Sequence, residues 1–294
     1  MIKNIFLRIE SRIVSKSKRY RMLIVVFAIV MPLCAQLRLP KLVSDGMILQ
    51  RDTELTIWGW ADQNETITID FKGKSYHTVV DSSGEWKLML PEQKAGGPYE
   101  MRIRSEKEEI TLHDILIGDV WFASGQSNME LPMRRVSPIY ENEIKTSECA
   151  FIRQFCVPQR YNFKYPEKDL EKGSWISANP QTVLDFSAVA YFFARELYEK
   201  YEVPVGIINA SLGGSPIQAW MSEEALKEFP SYYSEAQQFK NDELIQEIEK
   251  KDNERITEWY NILRKKDRGY QSEQSPWYLP NIDTSDWLTM TIPG

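Results

Sequence analysis

An apolar run that ends abruptly in a glycine and serine turn is the feature that most constrains the fold of this chain. The run Ile115–Ala123 leads almost directly into Gly125-Gln126-Ser127-Asn128-Met129. A short apolar segment bounded by turn residues is typical of a buried strand, and Ser127 is then expected at the carboxyl end of that strand, where open α/β sheets form their ligand sites. The alternative is an ordinary strand-to-helix turn in which Ser127 is the helix N-cap.

A second apolar run repeats this arrangement. Val203–Ala210 is followed by Ser211-Leu212-Gly213-Gly214-Ser215. If both strands belong to one parallel sheet, their carboxyl ends meet at the same edge, and glycine N–H groups approach a substrate there without a Cβ in the way. The sequence therefore predicts a serine nucleophile, Ser127, beside an oxyanion-binding pair, Gly213 and Gly214.

The remaining pattern predicts how these strands are connected. Residues 187–198 have the composition of a largely buried helix, and strand, helix and strand at this spacing indicate a right-handed parallel crossover. Residues 37–112 instead show short alternating runs separated by turn signals at 44–46, 81–84 and 96–98. The predicted fold class is α/β, a parallel sheet with flanking helices, preceded by a small antiparallel β-sandwich.

The two motifs carry a resemblance to a known family. Gly118–Glu130 and Ile208–Trp220 resemble the sialate O-acetylesterase family of SGNH-type carbohydrate esterases, and the layout of residues 37–294 is similar. The resemblance implies an SGNH-hydrolase-like sheet and an esterase that removes O-acetyl groups from sialic acid or related sugars. Ser127 stands in the place of the nucleophile, and Gly213 or Gly214 in the place of the second oxyanion donor.

Four neighbouring residues are candidates for support of this site. Gln126, Asn128 and Glu130 are expected to fix the turn rather than contact substrate. Trp220 is a candidate wall of the substrate pocket, and the alternative is an ordinary core tryptophan.

The chain departs from the family where the general base is expected. Members of the family carry later Gln-Gly-Glu-x-Asn and Asp-x-His blocks, and neither block occurs in these 294 residues. The sequence has only two histidines, His77 and His113. About ten extended residues at ~3.3 Å each separate His113 from the turn, a distance of about 30 Å, and His77 is expected on the solvent face of a strand. A serine without a base is a weak nucleophile, so this chain is expected to hold half of an active site.

The organisation predicted along the chain has four parts. These are a signal peptide at 1–35, a β-sandwich at 36–112, an incomplete SGNH-like α/β esterase domain at 113–270, and the truncated start of an inserted β domain at 271–294. Within the third part, residues 241–266 have helical spacing of apolar residues. A helix packed on its own domain is the preferred interpretation, with a coiled-coil dimer as the alternative.

The N-terminal segment predicts the location of the protein. Its first 21 residues carry a net charge of +6, and the apolar stretch 22–31 precedes Cys34 and Ala35. This is typical of a secretory signal cleaved after Ala35, and the stretch is short for a stable membrane span. A lipoprotein signal with Cys34 as the lipidated residue is the alternative. The predicted location is secreted or periplasmic.

Composition excludes some partners. Removal of residues 1–35 changes the net charge from −6 to −12, and an acidic surface argues against nucleic acid. Cys149 and Cys156 are expected to be unpaired, with the thiol of Cys156 in the interior of a strand; a disulfide between them in an oxidising compartment is the alternative. No metal-ligand spacing occurs and no cofactor is expected. Two other functions remain open, a non-catalytic sugar-binding protein and an esterase acting on acetylxylan or a lipid.

Overall fold

A computed structural model describes residues 36–267, 269, 277 and 279–291. The predicted signal peptide at 1–35 lies outside the described residues. The chain divides into two compact units, of which the first contains Gln36–Gln159 and Glu167–Ser215 and the second contains Arg160–Pro166 and the chain from Pro216 onward.

The described residues form ten strands, seven α-helices and two 3₁₀ segments. The strands are β1 Ile48–Gln50, β2 Leu55–Trp60, β3 Thr66–Phe71, β4 Lys74–Val79, β5 Glu85–Leu90, β6 Gly96–Arg104, β7 Glu109–Gly125, β8 Cys149–Cys156, β9 Trp175–Ala178 and β10 Val205–Ser211. The helices are α1 Ser127–Glu130, α2 Met133–Val136, α3 Glu141–Lys145, α4 Ala188–Tyr201, α5 Glu223–Leu226, α6 Pro230–Gln238 and α7 Asp242–Lys266, and the 3₁₀ segments are Thr182–Asp185 and Ile217–Trp220.

The N-terminal strands form the predicted antiparallel sandwich. β2 pairs with β5, while β4, β3, β6 and the first half of β7 follow one another antiparallel in a second sheet. β1 departs from the prediction, because it is parallel to β7. Alternate residues of β2, β3 and β5 are buried, as in strands with one face toward a core. Ile57, Ile69 and Met101 are fully enclosed, and each such side chain contributes about 1.5–3 kcal/mol through burial.

The long strand β7 continues from the sandwich into the α/β sheet. Its residues 109–117 pair with β6 antiparallel, and residues 119–125 pair with β10 parallel. The change of partner occurs at Gly118, where a Cβ would overlap the carbonyl oxygen of Pro204. The predicted boundary between residues 112 and 113 falls inside this strand, and the domain limits stay a prediction.

The α/β sheet confirms the predicted fold class. β7, β10 and β8 are parallel neighbours in that order, and β9 is antiparallel at the edge. α4 packs on β10 and β8. Its start is fixed by Ser187, whose side chain accepts the N–H of Ala190, and its end by Glu202 in the left-handed conformation.

The second unit is helical. α5 packs on α6, whereas the 25-residue helix α7 has no buried residue, and its apolar side chains Ile256 and Trp259 are exposed. The preferred interpretation that this helix is covered by its own domain is therefore wrong for the described residues. Residues 279–291 contain turns and no strand. The predicted β domain at 271–294 lies partly outside the described residues and stays a prediction.

None of the helices in the described part of the chain is long and apolar enough to cross a membrane.

A buried arginine connects β8 to the sandwich side of β7. Arg153 has a side chain that is 3% exposed, and its guanidinium donates to the carbonyl oxygens of Ala150 (2.9 Å), Gly46 (2.7 Å) and Asp114 (2.6 Å) and to Oδ1 of Asp114 (2.9 Å). Asp114 has a φ of 56°, a conformation that aspartate tolerates better than most residues. One cation therefore satisfies three carbonyl groups and a carboxylate.

We expect Arg153→Leu to lower the free energy of unfolding by about 2–4 kcal/mol, because three carbonyl oxygens lose their donor. The measurement is urea denaturation followed by far-UV circular dichroism. Lys145→Ala is the matched control, since its exposed pair with Glu141 contributes less than ~1 kcal/mol. Equal stability of Arg153→Leu and the wild type would contradict the structural importance of this network.

Candidate active site

Ser127 lies where the sequence places it, directly after the parallel strand β7. Gly125 ends the strand with a φ of 145°, Gln126 is the helix N-cap, and Ser127 is the first residue of α1. The alternative in which Ser127 is the N-cap is therefore wrong, and no side chain caps this helix. Ser127 is exposed, and its hydroxyl makes no hydrogen bond within the described residues.

The loop after β10 reaches the same point. Ser211 is paired with Gly125, and the N–H of Leu212 donates to the Gly125 carbonyl at 2.9 Å. Leu212–Ser215 then forms a turn closed by the Ser215 N–H on the Leu212 carbonyl at 3.3 Å. The third residue of this turn, Gly214, has a φ of 76°, a conformation that favours glycine at this position.

The structure brings Ser127 and Gly213 together. A Cβ built on Gly213 would lie 3.6 Å from both Cα and Cβ of Ser127. Gly214 is exposed, and a Cβ there would meet no atom within 4 Å. The two predicted strand ends thus share one site at the carboxyl edge of the sheet, and the assignment of the glycines as oxyanion donors stays a prediction.

Glu130 connects α1 to this loop. Its Oε2 accepts the N–H of Gly213, and its Oε1 accepts Nε2 of Gln159 at 2.6 Å. Nε2 of Gln159 also lies 3.3 Å from the carbonyl oxygen of Ser211. The sequence predicted that Glu130 fixes the turn. No pattern around Gln159 predicted that its side chain contacts Glu130.

The other candidates occupy different positions. Nε2 of Gln126 donates to the Ser215 carbonyl at 2.9 Å, so this side chain also holds the loop after β10. Asn128 is exposed. Trp220 belongs to the second compact unit, at the end of the 3₁₀ segment Ile217–Trp220, and its side chain is 42% exposed. It is not a core tryptophan, and its place in a pocket wall stays a prediction.

A buried polar cluster at the start of α4 contacts α1. Gln154 and Ser187 are both buried, and Oε1 of Gln154 accepts the Ser187 N–H at 3.0 Å. The Ser187 hydroxyl lies 3.6 Å from the sulfur of Met129, and the N–H of Ala188 donates to the Leu131 carbonyl at 2.9 Å. The start of α4 therefore fixes the helix that carries Ser127.

Both histidines are on the sandwich. Nδ1 of His77 lies 2.9 Å from Oγ1 of Thr68 on the exposed side of β4, and Nδ1 of His113 lies 3.3 Å from a carboxylate oxygen of Glu100. His113 is at the start of β7, twelve strand residues before Gly125, which is about 40 Å along an extended strand. Neither position supplies a base to Ser127.

The described residues contain no group of three or more histidine, cysteine or acidic side chains that could hold a metal ion.

Cys149 and Cys156 are both free. Cys156 is the last residue of β8, and it is largely exposed rather than enclosed in the strand. Partial burial of the thiol raises the pKa of Cys156, and the negative charge of Glu130 raises it further. The thiolate therefore forms at a higher pH than in a free cysteine.

The fold and this turn define the class of protein, an α/β protein with an SGNH-like sheet and a serine at the carboxyl edge of that sheet. A carbohydrate acetylesterase from Xanthomonas citri has a similar structure, with 41% identity and a TM-score of 0.63 over 65% of this chain and 44% of that chain. Human sialate O-acetylesterase is 28% identical over 207 residues, and the Rattus norvegicus sialate O-acetylesterase is 30% identical over the same length.

Over this matched region, the chain is similar to members of the sialate O-acetylesterase family. The match covers 65% of this chain and 38–40% of the two mammalian proteins, so the chain spans well under half of their length. No protein-family model matches the chain.

We expect Glu130→Gln to shift the alkylation of Cys156 to lower pH, because removal of a nearby negative charge lowers the pKa of the thiol. The measurement is the rate of iodoacetamide modification of the Cys156 peptide between about pH 7 and 10, read by mass spectrometry. Glu196→Gln, at an exposed position of α4, is the control. Identical profiles for Glu130→Gln and the wild type would show that Glu130 is not beside this thiol.

Proposed function

We propose that this chain provides the nucleophile half of a carbohydrate O-acetylesterase site. The observation that carries the proposal is the position of Ser127 against Gly213, at the carboxyl edge of the parallel sheet. The similarity to a carbohydrate acetylesterase and to sialate O-acetylesterases supports an acetylated sugar as the substrate.

In the proposed reaction, Oγ of Ser127 attacks the acetyl carbonyl carbon while a base accepts its proton. The carbonyl oxygen becomes an oxyanion, which backbone N–H groups of Ser127 and of the Gly213-Gly214 turn stabilise; one such donor typically contributes about 3–4 kcal/mol. The C–O bond to the sugar then breaks, the sugar oxygen takes the proton from the base, and the acetyl group stays on Ser127. Water attacks this ester and releases acetate.

The base for this reaction is a group other than His77 or His113. The sequence contains two histidines, and both are engaged on the sandwich, where His77 contacts Thr68 and His113 contacts Glu100. A serine in this position without its base retains only the rate contributed by binding and the oxyanion site.

A second candidate function is sugar binding without catalysis. The same placement of His77 and His113 favours it, because neither histidine is positioned to accept the proton of Ser127. An esterase acting on acetylated xylan is a variant of the first proposal that differs only in the sugar.

We expect added imidazole, acting as an external base, to support acetate release by this chain from O-acetylated sialic acid. The rate should rise with imidazole concentration and fall at least ~100-fold in Ser127→Ala, because the nucleophile is lost. Ser137→Ala is the matched control, since its hydroxyl is bonded to the Arg134 carbonyl. An acetylated xylo-oligosaccharide, tested in parallel, distinguishes the two esterase substrates.

Each outcome decides between the functions. Acetate release without imidazole that is lost in Ser127→Ala would overturn the half-site and mean that this chain contains a base. Equal rates for wild type and Ser127→Ala, with and without imidazole, would overturn the esterase proposal. Calorimetric binding of the sugar in that case would establish the second candidate.

We further propose that residues 1–35 are a cleaved signal and that the site works outside the cytoplasm. The net charge of +6 in the first 21 residues and the apolar stretch that follows support this. Expression with a bacterial secretion system should yield a protein whose intact mass begins at Gln36. A mass that retains residues 1–35, or a lipid adduct on Cys34, would contradict cleavage after Ala35.

A further inference from the structure

The carboxylate of Glu130 uses both of its oxygens on the loops around Ser127. Oε2 accepts the backbone N–H of Gly213, 83 residues away in the sequence, and Oε1 accepts the side chain of Gln159. Hydrogen bonds to an ionised acceptor are the stronger ones in proteins. The Gly213 end of the turn is therefore held to α1, the same helix that begins with Ser127.

This contact determines which N–H of the turn remains available. The N–H of Gly213 is already donated to Glu130, whereas the N–H of Gly214 donates no hydrogen bond within the described part of the chain. Gly214 is exposed in the left-handed conformation, with open space where a Cβ would lie. The N–H of Ser127 is also free of an intrahelical partner, as is usual in the first turn of a helix.

We propose that Glu130 is a positioning residue that holds the turn so that Gly214, together with Ser127, donates to the oxyanion. The proposal rests on the esterase function proposed above. It chooses between the two glycines, because an N–H already bonded to a carboxylate is not free to bond a developing negative charge.

The carboxylate is suited to this position for a chemical reason. An ionised carboxylate accepts hydrogen bonds from two N–H donors at once, and it has no N–H group that would need an acceptor of its own. In Glu130→Gln the new amide oxygen still accepts the Gly213 N–H, and the new amide N–H₂ finds an acceptor if the amide of Gln159 rotates. Glu130→Ala leaves the Gly213 N–H without an acceptor, while Nε2 of Gln159 keeps only the carbonyl oxygen of Ser211.

Glycine is required at 213 for the same contact. A Cβ at this position would lie 2.5 Å from Oε2 of Glu130, whereas its distance of 3.6 Å from Ser127 is an ordinary contact. Gly213→Ala should therefore act by displacing the Glu130 carboxylate, and its effect should depend on the presence of that carboxylate.

The first test measures kcat and KM for acetate release in the imidazole-supported assay. We expect Glu130→Ala to lower kcat about 10- to 100-fold and to change KM less than ~3-fold. The loss in kcat is smaller than that caused by complete removal of an oxyanion donor, because the N–H of Gly214 is displaced rather than lost. Glu130→Gln should retain kcat within ~3-fold, as should the control Glu196→Ala. Gly213→Ala should resemble Glu130→Ala, and the double variant should be no slower than either single variant, because both changes break one contact.

The second test reads the contact without activity. In the protein labelled with ¹⁵N-glycine, the Gly213 amide resonance, assigned by its absence in Gly213→Ala, should lie downfield and move upfield in Glu130→Ala. Thermal unfolding of each variant shows whether it is folded.

The outcomes separate this proposal from the esterase function. An unchanged Gly213 resonance in folded Glu130→Ala overturns the contact. A shifted resonance with unchanged kcat in Glu130→Ala, or additive losses in the double variant, overturns the positioning role. Absence of any Ser127-dependent rate in the wild type overturns the esterase function and the positioning role with it, while the resonance still reports the contact.

Discussion

The parallel pairing of β7 with β10 is the constraint on which the rest of the site depends. Ser211 lies opposite Gly125, so the two turns leave the sheet at the same level. A slip of one residue would exchange the faces of one strand and bury its polar side chains. The pairing begins where Gly118 meets the Pro204 carbonyl with no room for a Cβ, so the register is fixed by contact as well as by burial.

Around this pair, the structure supports the nucleophile with polar contacts that come from three other segments. Ser187 at the start of α4 contacts Met129 of α1 and is itself held by Gln154 of β8, while Glu130 and Gln126 hold the loop after β10. A hydroxyl and backbone N–H groups placed by rigid elements reorganise little during a reaction, which is the condition for electrostatic stabilisation of an oxyanion. Neither histidine of the sequence accompanies this hydroxyl, because both are on the sandwich.

Much of the fold was predictable from local patterns. Apolar runs predicted β7 and β10, helical spacing predicted α4 and α7, and alternation with turn residues predicted the sandwich. The errors have a common origin. The interior thiol predicted for Cys156 and the covered helix predicted for α7 are wrong, and each depends on which neighbours pack around an element rather than on the element itself.

The sequence by itself determined which segments form strands, that a serine and two glycines follow two of those strands, and that only two histidines are available. Only the tertiary structure decided that Glu130 accepts hydrogen bonds from the N–H of Gly213 and from the side chain of Gln159. It also decided that the N–H of Gly214 donates to no acceptor within the described residues. The physical reason is the separation along the sequence over which each effect acts. Periodicity and turn chemistry act over a few residues, whereas the contact between Glu130 and Gly213 joins positions 83 residues apart, and it exists only after the sheet has brought their strands together.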